Sequence, residues 1–182
     1  MDRDTTKTKF RQILLTKNAL SSYIANLAEQ IKTTYANNDK IIVIVLLNGA
    51  KRFTDELFGH INDEKFQLRY LTAGSYNGAK SGGKVTIAGD IGDVAGQEVL
   101  IADDIYDSGL TLSKAIKKVE QARPHRIRTC LLLEKQTRHK KKIAIDFKAA
   151  VVPDCFVVGY GLDYNGQYRQ LPFIAELDLA GQ

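Results

Sequence analysis

Residues 41–47 read Ile-Ile-Val-Ile-Val-Leu-Leu, an apolar run that no polar residue interrupts. A strand with one wet face alternates apolar and polar side chains. A short, β-branched run without alternation is covered on both faces, as the central strands of parallel α/β sheets are. Val99–Ala102 has the same character, and 127–133 reads as a further strand. Helical patterns separate these runs, so the chain is expected to be α/β: a twisted, mainly parallel sheet flanked by helices. Ligands of such sheets collect at the carboxyl ends of the strands, which makes the residues just after each run the first place to look for chemistry.

From Thr16 to about Asn37 the spacing predicts an amphipathic helix, with Leu20, Tyr23, Ile24, Leu27 and Ile31 on one face and Thr16 as its N-cap. After the first apolar run comes Asn48-Gly49-Ala50-Lys51-Arg52, a glycine turn leading into a helix that carries Phe53, Leu57 and Phe58. With backbone N–H groups and two cations, this turn is a candidate anion site. Phe66, Leu68 and Tyr70 alternate with polar residues, as in a half-buried strand. Gly74–Lys84 holds four glycines and two serines in eleven residues and cannot pack a core; it reads as a mobile loop, a candidate lid. Val85–Ile87 closes it as a strand, and Asp90–Gln97 turns the chain.

Farther on, Leu112, Ala115, Ile116 and Val119 make one helix face that ends before Pro124. Lys135 is expected just past the end of the 127–133 strand. Two more apolar runs follow at 149–153 and 156–158. The segment 159–172 has no helix period, and Ile174–Leu177 is expected as a last, short edge strand. Nothing resembles a linker, so residues 1–182 are expected to form one domain.

The net charge of +5 suits polyanionic ligands, either phosphorylated metabolites or nucleic acid. Arg138-His139-Lys140-Lys141-Lys142 reads as a solvated basic loop. Cys130 and Cys155 each lie in an apolar run without a Cys or His at metal-ligand spacing, so both are expected to be buried, reduced thiols. The N-terminus is charged and no apolar run is long enough to span a bilayer, so a cytoplasmic location is expected.

The richest stretch begins at Val99. An apolar strand meets Asp103, Asp104 and Asp107, then Ser108-Gly109-Leu110-Thr111, then a helix. A helix N-terminus offers unpaired N–H groups and partial positive charge to a phosphate. Gly109 allows close backbone approach, and the hydroxyls of Ser108 and Thr111 add donors. The carboxylates suit sugar hydroxyls, a divalent cation or a proton instead.

This stretch resembles the 5-phosphoribosyl diphosphate (PRPP) signature of type I phosphoribosyltransferases. Four apolar residues, two acids, two apolar residues and Asp-Thr/Ser-Gly-x-Thr occur in order. From about Ile13 to Leu177 the chain resembles the hypoxanthine-guanine branch of that family. Val45–Ala50 is similar to its pyrophosphate loop, Ser75-Tyr76 to its lid, Leu131–Lys135 to its base-reading strand, and Pro153–Tyr164 to its Pro-Asp-x-Phe-Val-Val-Gly-Tyr-Gly-Leu-Asp-Tyr tail.

The resemblance implies transfer of the phosphoribosyl group from PRPP to hypoxanthine or guanine, with release of pyrophosphate, in purine salvage. It implies that Ser108, Gly109, Leu110 and Thr111 hold the 5′-phosphate and that Asp103 and Asp104 take the ribose hydroxyls, directly or through Mg²⁺. Asp163 would bind a second Mg²⁺, Arg169 and the Asn48-Gly49 loop would hold pyrophosphate, and Asp107 would be the general acid/base near purine N7. Lys135 would donate to O6, Phe156 would stack on the base, backbone around Val157 and Asp163 would read its edge, and Ser75 and Tyr76 would close over the reacting centre. A hood from the N- and C-terminal segments, and a homodimer or homotetramer, are implied too.

The chain departs from the family pattern at Asp103 (Glu in many members), Asn48 (Lys in some) and Ser108 (more often Thr). Two alternatives stand beside this reading: a xanthine-preferring relative, and a PRPP-sensing, nucleic-acid-binding regulator on the same fold. Against the regulator stand the full catalytic set and the lack of a recognisable nucleic-acid motif.

Overall fold

The computed structural model describes residues 10–75, 85–136 and 140–179. In chain order the elements are β1 (Phe10–Leu15), α1 (Lys17–Thr34), β2 (Ile41–Leu47), α2 (Ala50–Ile61), β3 (Phe66–Ser75), β4 (Val85–Ala88), β5 (Glu98–Tyr106), α3 (Leu110–Glu120), β6 (Arg126–Lys135), β7 (Phe147–Val152), β8 (Val157–Val158) and β9 (Ile174–Leu177). Six strands form the main sheet in the order β4-β3-β2-β5-β6-β7. All neighbours in it run parallel except β3 and β4.

The unbroken apolar run of β2 has its reason in this arrangement. Ile41 lies between Phe66 of β3 and Glu98 of β5. Its odd-numbered residues Ile41, Val43 and Val45 enter the core shared with α1 and α2. The even-numbered Ile42, Ile44 and Leu46 enter a second core, shared with α3. Each face meets helices, so no position on β2 tolerates a polar side chain.

Helix α1 starts where the sequence predicts: Thr16 caps it, its hydroxyl accepting from Ala19 N at 3.3 Å. Leu20, Ile24, Leu27 and Ile31 are buried as expected, but Tyr23 is 42% exposed, because the buried stripe runs on through Ala28 and Tyr35 instead. Tyr70 is likewise exposed rather than half-buried; the apolar cover of this face takes in Phe66 and Leu68 and stops short of it. Strand β3 continues through Gly74 and Ser75, which pair with Thr86 and Val85, so the strand takes in the first two residues of the expected loop. Tyr76 and the rest of that loop, to Lys84, lie outside the described residues, as do Arg138 and His139.

A second, three-stranded sheet has the order β1-β9-β8. Ile174–Leu177 is therefore not an edge but the middle strand, antiparallel to β1 (Phe10 opposite Leu177) and to β8 (Val157 opposite Glu176). The partner that makes it central, β1, reads Phe-Arg-Gln-Ile-Leu-Leu and lacks the clean alternation that would mark it as a strand. Lys135 is the last residue of β6, not a residue beyond it, because β6 keeps pairing with β7 as far as Lys135 and Val152. Of the two free cysteines, Cys130 is buried but Cys155 is only half-buried. Among the described residues no helix is long and apolar enough to cross a membrane.

Candidate active site

The carboxyl ends of the parallel strands open into a cleft of about 270 Å³. Its floor is the end of β5. Asp103 and Asp104 line it, followed by Asp107, Ser108, Gly109 and Thr111 at the head of α3. Asn48 and Gly49, which leave β2, form a second wall, and Asp163 and Arg169 from the tail a third. Three separate parts of the sequence thus converge on one space.

Asp103 is 6% exposed, and its carboxylate accepts from Asp104 N at 3.0 Å. Burial, then the charge of Asp104, push its pKa well above the usual carboxylate range. Burial raises Asp104 too, opposed by its hydrogen bond to Asp103, by backbone donors and by the charge of Arg169. A pair of this kind, one carboxylate buried and the other half-buried, favours any ligand that brings hydroxyl donors or positive charge.

Gly49 fits against this pair so closely that a Cβ there would run into Asp104 Oδ2. Gly109 caps α3 with φ +78°, and a Cβ on it would lie 2.6 Å from the carbonyl oxygen of Lys141. Its conformation and its neighbour both require glycine. The Ser108 hydroxyl faces Leu110 N at 3.4 Å, so the turn is already folded around the head of the helix.

Lys140–Lys142 is exposed, as a solvated loop should be, but its backbone is strapped to the Ser108 turn. Lys141 N donates to Ser108 O at 3.1 Å, the Tyr106 hydroxyl donates to Lys141 O at 2.5 Å, and Ile143 N donates to Tyr106 Oη at 3.0 Å. Tyr106 carries no sequence signal for this role beyond its place between two of the acids.

Lys135 does not line the cleft directly. It is 9% exposed, and its Nζ sits 2.7 Å from Asp107 Oδ2. Its charge also reaches the Cys155 thiol, toward the segment that carries Phe156 and Val157. Phe156 is 38% exposed and meets the Tyr164 ring edge-on at 5.4 Å, while Val157 is buried in β8. Leu110 opens α3, and Ser75 ends β3.

The two cations of the Asn48–Arg52 turn are both engaged elsewhere. Lys51 Nζ pairs with Asp55 at 2.7 Å, and Arg52 donates to tail carbonyls. The cation that lines the cleft is instead Arg169, whose Nη2 lies 2.6 Å from Asp163 Oδ1 and whose Nη1 donates to Gly161 O at 2.6 Å. Asp163 also accepts from Gly166 N at 2.8 Å.

Two adjoining carboxylates in a polar cleft suit a hard cation. Among the described residues no three His, Cys, Asp or Glu side chains form a closed metal cage. That is the donor set Mg²⁺ accepts when substrate phosphates and water complete its shell.

The family model for the phosphoribosyl transferase domain matches residues 12–165. Hypoxanthine phosphoribosyltransferase of Buchnera aphidicola is 37% identical over 169 residues, covering 91% of this chain and 95% of that one. Hypoxanthine-guanine phosphoribosyltransferase of Aquifex aeolicus is 35% identical over 163 residues, covering 88% and 91%. The crystal structure of a hypoxanthine-guanine phosphoribosyltransferase from Bacillus anthracis superposes with a TM-score of 0.83 at 32% identity, covering 93% of this chain and 99% of that one.

Proposed function

The chain belongs to the phosphoribosyl transferase family, and from that premise we propose that it is the enzyme that moves the 5-phosphoribosyl group of PRPP onto hypoxanthine or guanine, yielding IMP or GMP and pyrophosphate in purine salvage. The observation that carries the reading is the Lys135–Asp107 pair at 2.7 Å. It holds a donor suited to a 6-oxo group beside a carboxylate suited to a ring N–H, and that carboxylate lines the cleft.

In this reading the C1–O bond to pyrophosphate breaks and a C1–N bond to the purine forms, through an oxocarbenium-like state that must be kept from water. The backbone at Ser108, Gly109, Leu110 and Thr111 holds the 5′-phosphate at the head of α3, where orphan N–H groups and the helix dipole favour an anion. Asp103 and Asp104 take the ribose hydroxyls and would hold Mg²⁺. When bound, the ion supplies positive charge to the pyrophosphate oxygens. Arg169, with Asn48 and Gly49, binds the departing pyrophosphate; its guanidinium suits oxyanion recognition. Asp163 serves a second cation only by exchanging its Arg169 partner.

Asp107 accepts the proton that the purine ring releases, a role that typically contributes about 10²–10⁴-fold. Lys135 leaves Asp107 to donate to O6. Adenine would present an amino group to that ammonium, with no acceptor, and a buried mispairing of this kind is strongly rejected. The three-stranded sheet of β1, β8 and β9 would be the hood over the base, with Phe156 stacking on it and backbone near Val157 reading its edge. Ser75 and Tyr76 would close over the centre. A homodimer or homotetramer, read by light scattering, completes the proposal.

The test is nucleotide formation from PRPP and Mg²⁺ with hypoxanthine, guanine, xanthine and adenine supplied separately. Turnover of hypoxanthine or guanine without adenine supports the reading. Turnover of adenine, or of none of the four, refutes it.

A further inference from the structure

Helix α2 leaves the Asn48-Gly49 turn and lies against the tail that carries Asp163 and Arg169. Its third residue, Arg52, makes the bridge. Arg52 Nη1 faces three successive carbonyl oxygens, those of Arg169 at 3.3 Å, Gln170 at 3.1 Å and Leu171 at 2.8 Å. Its guanidinium carbon sits 4.5 Å from the centre of the Tyr160 ring. The Tyr160 hydroxyl donates to Glu56, one turn farther along the same face of α2. Beyond Tyr160, Gly161 lies so close to the Gly49 carbonyl oxygen that a Cβ would collide with it.

We propose that Arg52 is a positioning residue for the pyrophosphate side of the cleft: it clamps the 169–171 backbone against α2, so that Asp163 and Arg169 stand across from Gly49 at the distance PRPP requires. The inference rests on the transfer reaction proposed above.

The local bonding gives this clamp a specific reach. Gly161 N donates to Arg169 O and Tyr160 N donates to Leu171 O, each at 3.0 Å, so Arg52 occupies the remaining acceptor capacity of two carbonyls that already tie the tail to itself. The Arg169 side chain returns to Gly161 O at 2.6 Å. Arg52 thus joins Tyr160, Gly161 and Arg169 into one unit, which meets α2 through Arg52 itself and through the Tyr160–Glu56 hydrogen bond. Lysine cannot replace the guanidinium fully, because it brings a point charge without the planar face that lies on Tyr160. Of the base-facing residues, Lys135 and Asp107 belong to β6 and to the turn after β5, and Phe156 and Val157 precede the clamped segment, so PRPP binding should suffer more than base binding.

The experiment compares wild type, Arg52→Met and Arg52→Lys, with Lys65→Met as a control. Lys65 bonds Tyr35 O at the far end of the sheet. The readouts are KM for PRPP and for hypoxanthine, PRPP binding by calorimetry without base, and amide hydrogen exchange of the 159–171 segment. Expected in Arg52→Met are a rise of about tenfold or more in KM and Kd for PRPP, the scale of a small misplacement in a site, a clearly smaller change in KM for hypoxanthine, and faster exchange at Gly161 and Tyr160. Arg52→Lys should fall between, and Lys65→Met should match wild type in PRPP binding. Unchanged PRPP binding in Arg52→Met overturns the inference, and so does an equal rise for both substrates. Weaker PRPP binding with unchanged exchange overturns it too, since Arg52 would then act on the ligand itself. If wild type forms no nucleotide, the reaction reading fails while calorimetry and exchange still decide the role of Arg52.

Discussion

Replacing Gly49 by alanine sets two physical effects of opposite sign against each other. Gly49 has φ −61° and ψ −42°, which alanine adopts without strain. A Gly→Ala change at such a site stabilises by about 0.4–1 kcal/mol, through the entropy of the unfolded chain. Against this stands Asp104: the new Cβ would collide with Oδ2, lie 2.5 Å from Cγ and 3.3 Å from Cβ. Hydrogen bonds with Asp103 and with the Ile105 backbone hold the Asp104 carboxylate, so it cannot simply swing aside, and overpacking of this kind costs about 1–3 kcal/mol. The net expectation is destabilisation by about 1–2 kcal/mol, or a fall of about 0.5–1 M in the urea midpoint for a typical slope. In an Asp104→Ala background only the 3.3 Å contact with Cβ remains, and the same glycine change should lose most of its cost, a coupling that a double-mutant cycle measures. If Gly49→Ala leaves the midpoint unchanged or raises it, or costs as much without the Asp104 carboxylate as with it, the close approach of the two cleft walls is not the constraint inferred here.

Asp107→Asn should lower kcat by about 10²–10⁴-fold at saturating PRPP and hypoxanthine, and an activity near wild type would remove Asp107 from proton transfer. The raised pKa of Asp103 has a signed consequence for stability. The unfolded chain releases its proton near pH 4 while the folded protein still holds it, so stability falls as pH rises from there to the raised value and then levels. Urea midpoints across that window should fall less steeply in Asp103→Asn, and an identical slope would refute the assignment. Burial raises both cysteine thiols, but Cys130 is enclosed in the core and Cys155 is half-buried. Iodoacetamide should modify Cys155 in the native protein and Cys130 only on unfolding; equal rates would contradict the packing.

Local chemistry made much of this protein legible in the sequence. An apolar run without alternation is buried on both faces whatever surrounds it, and β2 is so placed. Thr16 caps α1 because a hydroxyl before a helical pattern satisfies an orphan N–H nearby. The order of acids, Ser108, Gly109 and Thr111 marks a strand end that meets a helix head, and those residues line the cleft. Long-range pairing decided the rest. Ile174–Leu177 became a middle strand because β1, some 160 residues away in sequence, pairs with its other edge. Lys51 and Arg52 read as anion-binding cations until Asp55 and the 169–171 carbonyls took them, and Lys135 was given an Asp107 partner that no spacing rule links to it. The sequence states which groups each residue offers to a neighbour. Which neighbour accepts depends on distances set when the sheet closes, and those arise only in the folded chain.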